Sequence, residues 1–185
     1  MSRHQFSDAA AAVQQGRVIA YPAEAVWGLG CNPFDLQAVT KILTLKDRPV
    51  EKGLIVLASS ITRLEPLLKH LSDSQIELLE STWPAAVTFV IEDPEAFFPS
   101  YVRGQFSSIA VRVSDSARLN RLVDACGGLL ISTSANPAGL APGLTESEVF
   151  EYFGGNIDCY VDGDIDTEGT PSKIIRLSDS AVLRA

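Results

Sequence analysis

An α/β fold, an open twisted mixed sheet flanked by helices, is what this sequence predicts, and three observations carry it. Segments with strand-like and helix-like apolar spacing alternate along the chain. Leu54–Ala58 and Val87–Ile91 are nearly uninterrupted apolar runs, the pattern of strands buried on both faces. Near the end, Ile174-Ile175 and Val182-Leu183 flank Ser178-Asp179-Ser180, which reads as an antiparallel hairpin and makes the sheet mixed.

The elements follow in order. Asp8–Gln15 is amphipathic, and Val18–Tyr21 is a short strand. Leu36, Val39, Ile42, Leu43 and Leu45 fall at helical spacing. Leu54–Ala58 is a strand, and residues near 61–81 hold one or two helices. Strands follow at Val87–Ile91 and Ile109–Val113, then a helix at Ala117–Ala125 and a strand at Leu129–Ile131. Thr145 with Glu148 three residues on forms a capping box, opening a helix to about Phe153. Asp162–Gly169 reads as an acidic loop.

With 185 residues, 46% hydrophobic and 21% charged, the chain reads as a single globular domain over 1–185. No apolar run approaches the ~20 residues of a membrane span. Met1–Phe6 lacks the apolar stretch of a secretory signal, so a cytoplasmic protein with no membrane partner is expected. Cys31, Cys126 and Cys159 are far apart and odd in number, which fits reduced, buried thiols better than a disulfide framework or zinc site. A net charge of −8 argues against a general nucleic-acid coat protein. Lys41, Lys46, Arg48 and Lys52 nevertheless crowd together, whereas Leu122–Ser172 contains no Lys or Arg. That local patch suits a small anionic ligand, or equally a solvated helix end.

Several familiar chemistries are excluded. The sequence has no G-x-x-x-x-G-K-[ST] loop, no G-x-G-x-x-G and no G-x-S-x-G, and only two histidines. What remains is polar punctuation at strand ends. Tyr21–Gly30 follows the first strand, and its two glycines suit a tight, ligand-approaching backbone, or it is a plain strand-to-helix loop with an ordinary core Trp. Lys46, Arg48 and Lys52, around the helix-stopping Pro49, form either a phosphate clamp or a dipole-favoured helix end. Ser132–Asn136 follows a strand, the usual ligand position of α/β sheets, and also reads as a plain Asn-Pro turn. Arg112, inside an apolar strand, needs either a salt-bridge partner or an anionic ligand.

Six segments together resemble the threonylcarbamoyl-AMP synthase family, the YrdC/TsaC proteins. They are YPAEAVWGLG from Tyr21, KDRPVEKGL from Lys46, WPAAVT from Trp83, SIAVRV from Ser108, STSANPAG from Ser132 and PSKII from Pro171, in the family's order. The resemblance implies a sheet with a concave, positively lined cavity. It also implies synthesis of L-threonylcarbamoyladenylate from ATP, L-threonine and bicarbonate, with release of pyrophosphate. Mg²⁺ would arrive with ATP, and the product would pass to the tRNA threonylcarbamoyl transferase complex for modification at position 37. A weak tRNA or RNA contact is compatible with it.

Carried over by motif, Lys46 and Arg48 are the catalytic cations. Lys52, Ser108, Ser134, Asn136 and Arg184 bind the nucleotide, and Arg112, Ser132 and Ser172 bind threonine. The chain departs from the pattern at Ala23 and Ala25, where the family places threonines, at Ala85-Ala86 in place of Gly-Pro, and at Ser116 in place of a histidine. Two rival readings are an RNA-binding module without catalysis and a carbamoyl-adenylate-forming domain like that of hydrogenase maturation proteins.

Overall fold

The computed structural model describes residues 6–166 and 172–185. Helix α1 (Phe6–Gln14) leads into strands β1 (Ile19–Pro22) and β2 (Trp27–Gly30). Helix α2 (Leu36–Leu45) starts where the Asp35 carboxylate accepts the Ala38 N–H, satisfying a donor the first turn leaves unpaired. Strand β3 (Ile55–Ala58) precedes α3 (Glu65–Leu68) and α4 (Asp73–Thr82), the second opened by a Ser72–Gln75 capping box. Then come β4 (Val87–Glu92), the one-turn α5 (Ser100–Arg103), β5 (Ser108–Arg112), α6 (Ala117–Ala125) and β6 (Leu129–Ser134). Helix α7 (Glu146–Phe153) carries the expected Thr145–Glu148 capping box. Strands β7 (Cys159–Tyr160), β8 (Lys173–Arg176) and β9 (Val182–Arg184) follow.

Among the described residues the strands form one mixed sheet, ordered β7-β1-β2-β6-β3-β5-β4-β8-β9. Pairs β1–β7, β3–β5 and β4–β8 are parallel, and β8–β9 is the expected antiparallel hairpin.

Alternation along the strands sorts side chains onto two faces. On the first, Ala20, Leu29, Val56, Phe89, Val111 and Ile131 pack in one core with residues of α2, α4 and α7. On the second, Ile19, Tyr21, Leu57 and Leu130 pack with α1 and α6. That second core includes no residue of β4, β5 or β8. The same face of those strands carries Ala110, Val90 and Ile174, each only half-buried. One face is therefore sealed and the other half-open, and the open half is where a ligand has room.

Two expectations need correction. Trp27–Gly30 is a strand rather than a loop, because β1 and β6 pair with it on either side. Its glycines also answer to a side chain. A methyl on Gly28 would lie 3.0 Å from the Tyr21 Cζ, and one on Gly30 would lie 2.9 Å from the Tyr21 Cε1 and 2.8 Å from the Ile131 carbonyl. Both glycines make room for the Tyr21 ring. Ser132–Ser134 continues β6 instead of leaving it, since β2 and β3 extend the ladder past the apolar run.

The three cysteines are free and buried, and burial pushes the Cys126 thiol up to about 12. No helix among the described residues is long and apolar enough to cross a membrane. The acidic loop is tied down as far as Asp166, which accepts from Ser116 at 2.6 Å and from Arg118 at 2.9 Å. Its remainder, Pro171 of the last motif and the N-terminal Met1–Gln5 lie outside the described residues.

Candidate active site

A cavity of about 250 Å³ lies over the open half of the second face. A broader hollow of about 650 Å³ between Ser59–Arg63 and α6 is wide open to solvent and gathers none of the motif residues. The smaller cavity gathers most of them, from segments up to 160 residues apart, and its enclosure favours ligand binding.

Strand register maps the sheet face on which it sits, with Ile55 and Ser132 in its lining. Ile55 of β3 stands beside Ser132 of β6 and Ala110 of β5, and Ala110 stands beside Val90 of β4. This central row is apolar except for Ser132. The Tyr21 hydroxyl donates to the Ser132 Oγ at 2.9 Å, fixing that serine from the covered side, and burial raises the Tyr21 pKa.

One residue pair further along, Arg112 stands beside Leu57, at the C-terminal end of β5. Its guanidinium is buried, so it must be paired. Nη1 and Nη2 each lie 3.1 Å from the Glu24 carboxylate, and the Ser114 hydroxyl donates to the same carboxylate. The Arg112 Nε is buried without a partner. At this end the Thr88 and Ser172 hydroxyls bond each other at 2.8 Å. Arg184 donates to the Ser172 carbonyl through Nε at 3.0 Å and Nη2 at 2.7 Å. Burial, and then the charge of Arg112, lower the Arg184 pKa.

The other end lies toward Gly53, before β3 begins. Arg48 donates to the Gly53 carbonyl through Nη2 at 2.8 Å and Nε at 3.2 Å, and burial lowers its pKa. Lys46, the C-cap of α2, is buried. Its ammonium donates to the Ser134 carbonyl, to the Asn136 carbonyl at 2.7 Å and to the Asn136 Oδ1 at 3.4 Å. Burial, and then Arg48, bring its pKa down to about 8.

Arg48, Arg112, Ser132, Ser134, Ser172 and Arg184 thus line one cavity. Four other expected residues do not. Lys46 sits behind the wall, and Asn136 donates its amide to the Pro137 and Leu140 carbonyls. Lys52 is exposed on a 3₁₀ turn. Ser108 lies on the open face about 13 Å along β5 from Arg112, at the Gly53 end. Arg184, assigned to the nucleotide, stands beside Ser172 at the Arg112 end.

The four-cation cluster is dispersed, because only Lys41 lies on α2, Lys46 caps it, and Arg48 and Lys52 follow in the turn beyond. Lys41 pairs with Asp158 at 2.7 Å, and only Arg48 reaches the cavity. Sequence reasoning missed Glu24 as a site residue. The signal was present, in that a buried arginine demanded an acid, but nothing in the spacing named which one.

The lining of the cavity therefore holds three arginines and one carboxylate among the described residues, with serine and threonine hydroxyls between them. Such a surface binds anions, and phosphoryl or carboxylate groups in particular.

Comparison with known proteins places the chain in a family. The Sua5/YciO/YrdC family model, described as "Telomere recombination", matches residues 11–185. A Cellvibrio japonicus protein named threonylcarbamoyl-AMP synthase is 46% identical over 176 residues, spanning 95% of this chain and 93% of its own. Its namesake from Marinobacter nauticus is 48% identical over 164 residues, spanning 88% and 86%. The crystal structure of P. abyssi Sua5 complexed with L-threonine is similar with a TM-score of 0.86 at 30% identity, over 96% of this chain and 52% of that one. This chain therefore spans about half the length of the P. abyssi protein.

Proposed function

Since the chain belongs to the Sua5/YciO/YrdC family, we infer that its cavity is where L-threonylcarbamoyladenylate is made from L-threonine, bicarbonate or CO2, and ATP. Pyrophosphate leaves, and the adenylate serves N6-threonylcarbamoyladenosine formation at position 37 of tRNA. The observation that carries this reading is the gathering of Arg48, Arg112 and Arg184 around one half-open sheet face, with Ser132, Ser134 and Ser172 between them.

The two ends divide the work. The threonine amine and CO2 give a carbamate, and a carbamate oxygen attacks the α-phosphorus as the bond to pyrophosphate breaks. Charge builds on phosphoryl oxygens, so fixed cations supply the stabilisation and no histidine base is needed. Arg48 faces the triphosphate, with Lys52 and Ser108 toward the same end. Lys46 acts from behind, holding the carbonyls of Ser134 and Asn136 so that the β6 segment presents its hydroxyls to the nucleotide. The half-buried Ile55 lines the cavity, and Ala110 and Val90 continue its apolar surface along the open sheet face toward the nucleoside. Arg112, Ser132 and Ser172 face threonine. Arg184, between Ser172 and Arg112, meets the α-phosphate where the carbamate joins it.

Mg²⁺ fits this cavity as a passenger of the triphosphate. Glu24, its one lining carboxylate among the described residues, is already held by Arg112 and Ser114, and no described group of three acids, histidines or cysteines makes a cage. Bound to the triphosphate, the ion would neutralise charge on the departing pyrophosphate. The protein works in the cytoplasm, touches tRNA weakly or not at all, and hands its product to the transferase complex.

The test is incubation with ATP, bicarbonate and L-threonine. Pyrophosphate release that needs all three, with the adenylate identified by mass, supports the reading. Release independent of threonine defeats it, as does RNA binding with steep salt dependence and no turnover.

A further inference from the structure

The chemistry of the amino-acid end is incomplete without Glu24. Threonine enters as a zwitterion, carrying an ammonium beside its carboxylate. Arg112 accounts for the carboxylate, but the other charged side chains lining the cavity, Arg48 and Arg184, repel an ammonium. Among the described residues Glu24 alone supplies a lining negative charge. It is already aimed inward, with Oε1 and Oε2 each 3.1 Å from the Arg112 fork and Ser114 donating to Oε1.

We propose that Glu24 is a specificity-determining residue that holds the ammonium of the amino-acid substrate, the Glu24–Arg112 pair opening to admit a zwitterion. The exchange is isoelectric. One ion pair within the protein becomes two between protein and ligand, and no buried charge is left alone. The substrate carboxylate takes the Arg112 guanidinium, whose Nε already lacks an acceptor. Glu24 turns to the ammonium while Ser114 keeps its other oxygen oriented. A carboxylic acid without the ammonium would strand Glu24 unpaired, so the site rejects it. This inference rests on the amino-acid reading of the cavity.

The test is isothermal titration of L-threonine and of 2,3-dihydroxybutyrate, which replaces the ammonium by a hydroxyl, into wild-type protein and Glu24→Gln. Wild type should bind threonine at least tenfold tighter than the hydroxy acid. In Glu24→Gln, which keeps the shape and loses the charge, that ratio should fall to near one, and Glu24→Asp should restore part of it. If both ligands weaken equally in Glu24→Gln and the ratio persists, Glu24 merely positions Arg112 and the proposal fails. A wild-type ratio near one overturns it whatever the variants do. A wild-type protein that binds neither compound defeats the amino-acid reading itself, a separate outcome.

Discussion

The two ends of the cavity satisfy their cations in different ways. At the Gly53 end Arg48 and Lys46 donate to backbone carbonyls, which orient a cation without cancelling its charge. At the other end Arg112 faces a full carboxylate and that pair is close to neutral, while Arg184 beside it donates to the Ser172 carbonyl and keeps its charge. The first end is thus a standing positive field, suited to a triphosphate that arrives with excess negative charge. The second joins a closed ion pair, which an amino acid of no net charge can exchange, to one carbonyl-held arginine suited to the α-phosphate. What separates a phosphate site from a zwitterion site here is the partner of the arginine, not the arginine.

The sharpest way to break this contrast is Arg48→Ala. Removing a contact that works on transition-state charge should lower pyrophosphate release by about 10²–10³, with an unchanged circular dichroism spectrum. Near-normal turnover would mean the standing field lies elsewhere.

Arg112→Met should act on stability as well. It leaves Glu24 part-buried and unpaired, and an unfolding free energy lower by about 2 kcal/mol is expected from denaturant titration. Arg48→Met, whose carbonyl partner can take water instead, should cost about 1 kcal/mol or less. Equal losses would erase the distinction between the two ends.

Lys46 sharpens the contrast through pH. Its folded pKa is depressed to about 8 against an ordinary 10.5, so between those values the unfolded chain holds a proton the folded one has released. The stability difference between wild type and Lys46→Met should therefore rise with pH across that window, as read from urea midpoints. A flat or falling difference would show that Lys46 keeps its charge in the fold.

The smallest effect belongs to Ala23, a buried lining residue whose N–H bonds the Val26 carbonyl. Ala23→Thr adds one hydroxyl and should lower KM for threonine or bicarbonate by roughly three- to tenfold, since a net hydrogen bond is worth about 0.5–1.5 kcal/mol. Unchanged KM values in the folded variant would make position 23 structural.

The sheet was largely legible because apolar runs and caps are local signals. Leu54–Ala58, Ala117–Ala125 and the Thr145 box all fall where composition placed them. Trp27–Gly30 escaped because its strand state comes from pairing with β1 and with β6 more than 100 residues on, while its two glycines, which make room for Tyr21, read locally as a loop. Cys159–Tyr160 and Ser100–Arg103 are too short to carry a period. In the cavity lining, Ser132, Ser134, Ser172 and Arg112 could be named from sequence. The separation of Lys46 from Arg48 could not, since two residues at a helix end face opposite sides of a wall only once β6 is in place.

The Tyr21 ring has a consequence for how this protein tolerates change. Gly28 and Gly30 are crowded by that ring, and Gly30 also by the Ile131 carbonyl. In a library of random variants, alanine at position 28 should be depleted in the parent background. It should reappear where position 21 has become smaller, at the price of the hydroxyl that steadies Ser132. Residues 21, 28 and 132 would then behave as one genetic locus, with suppressors of a backbone lesion reporting as altered handling of substrate.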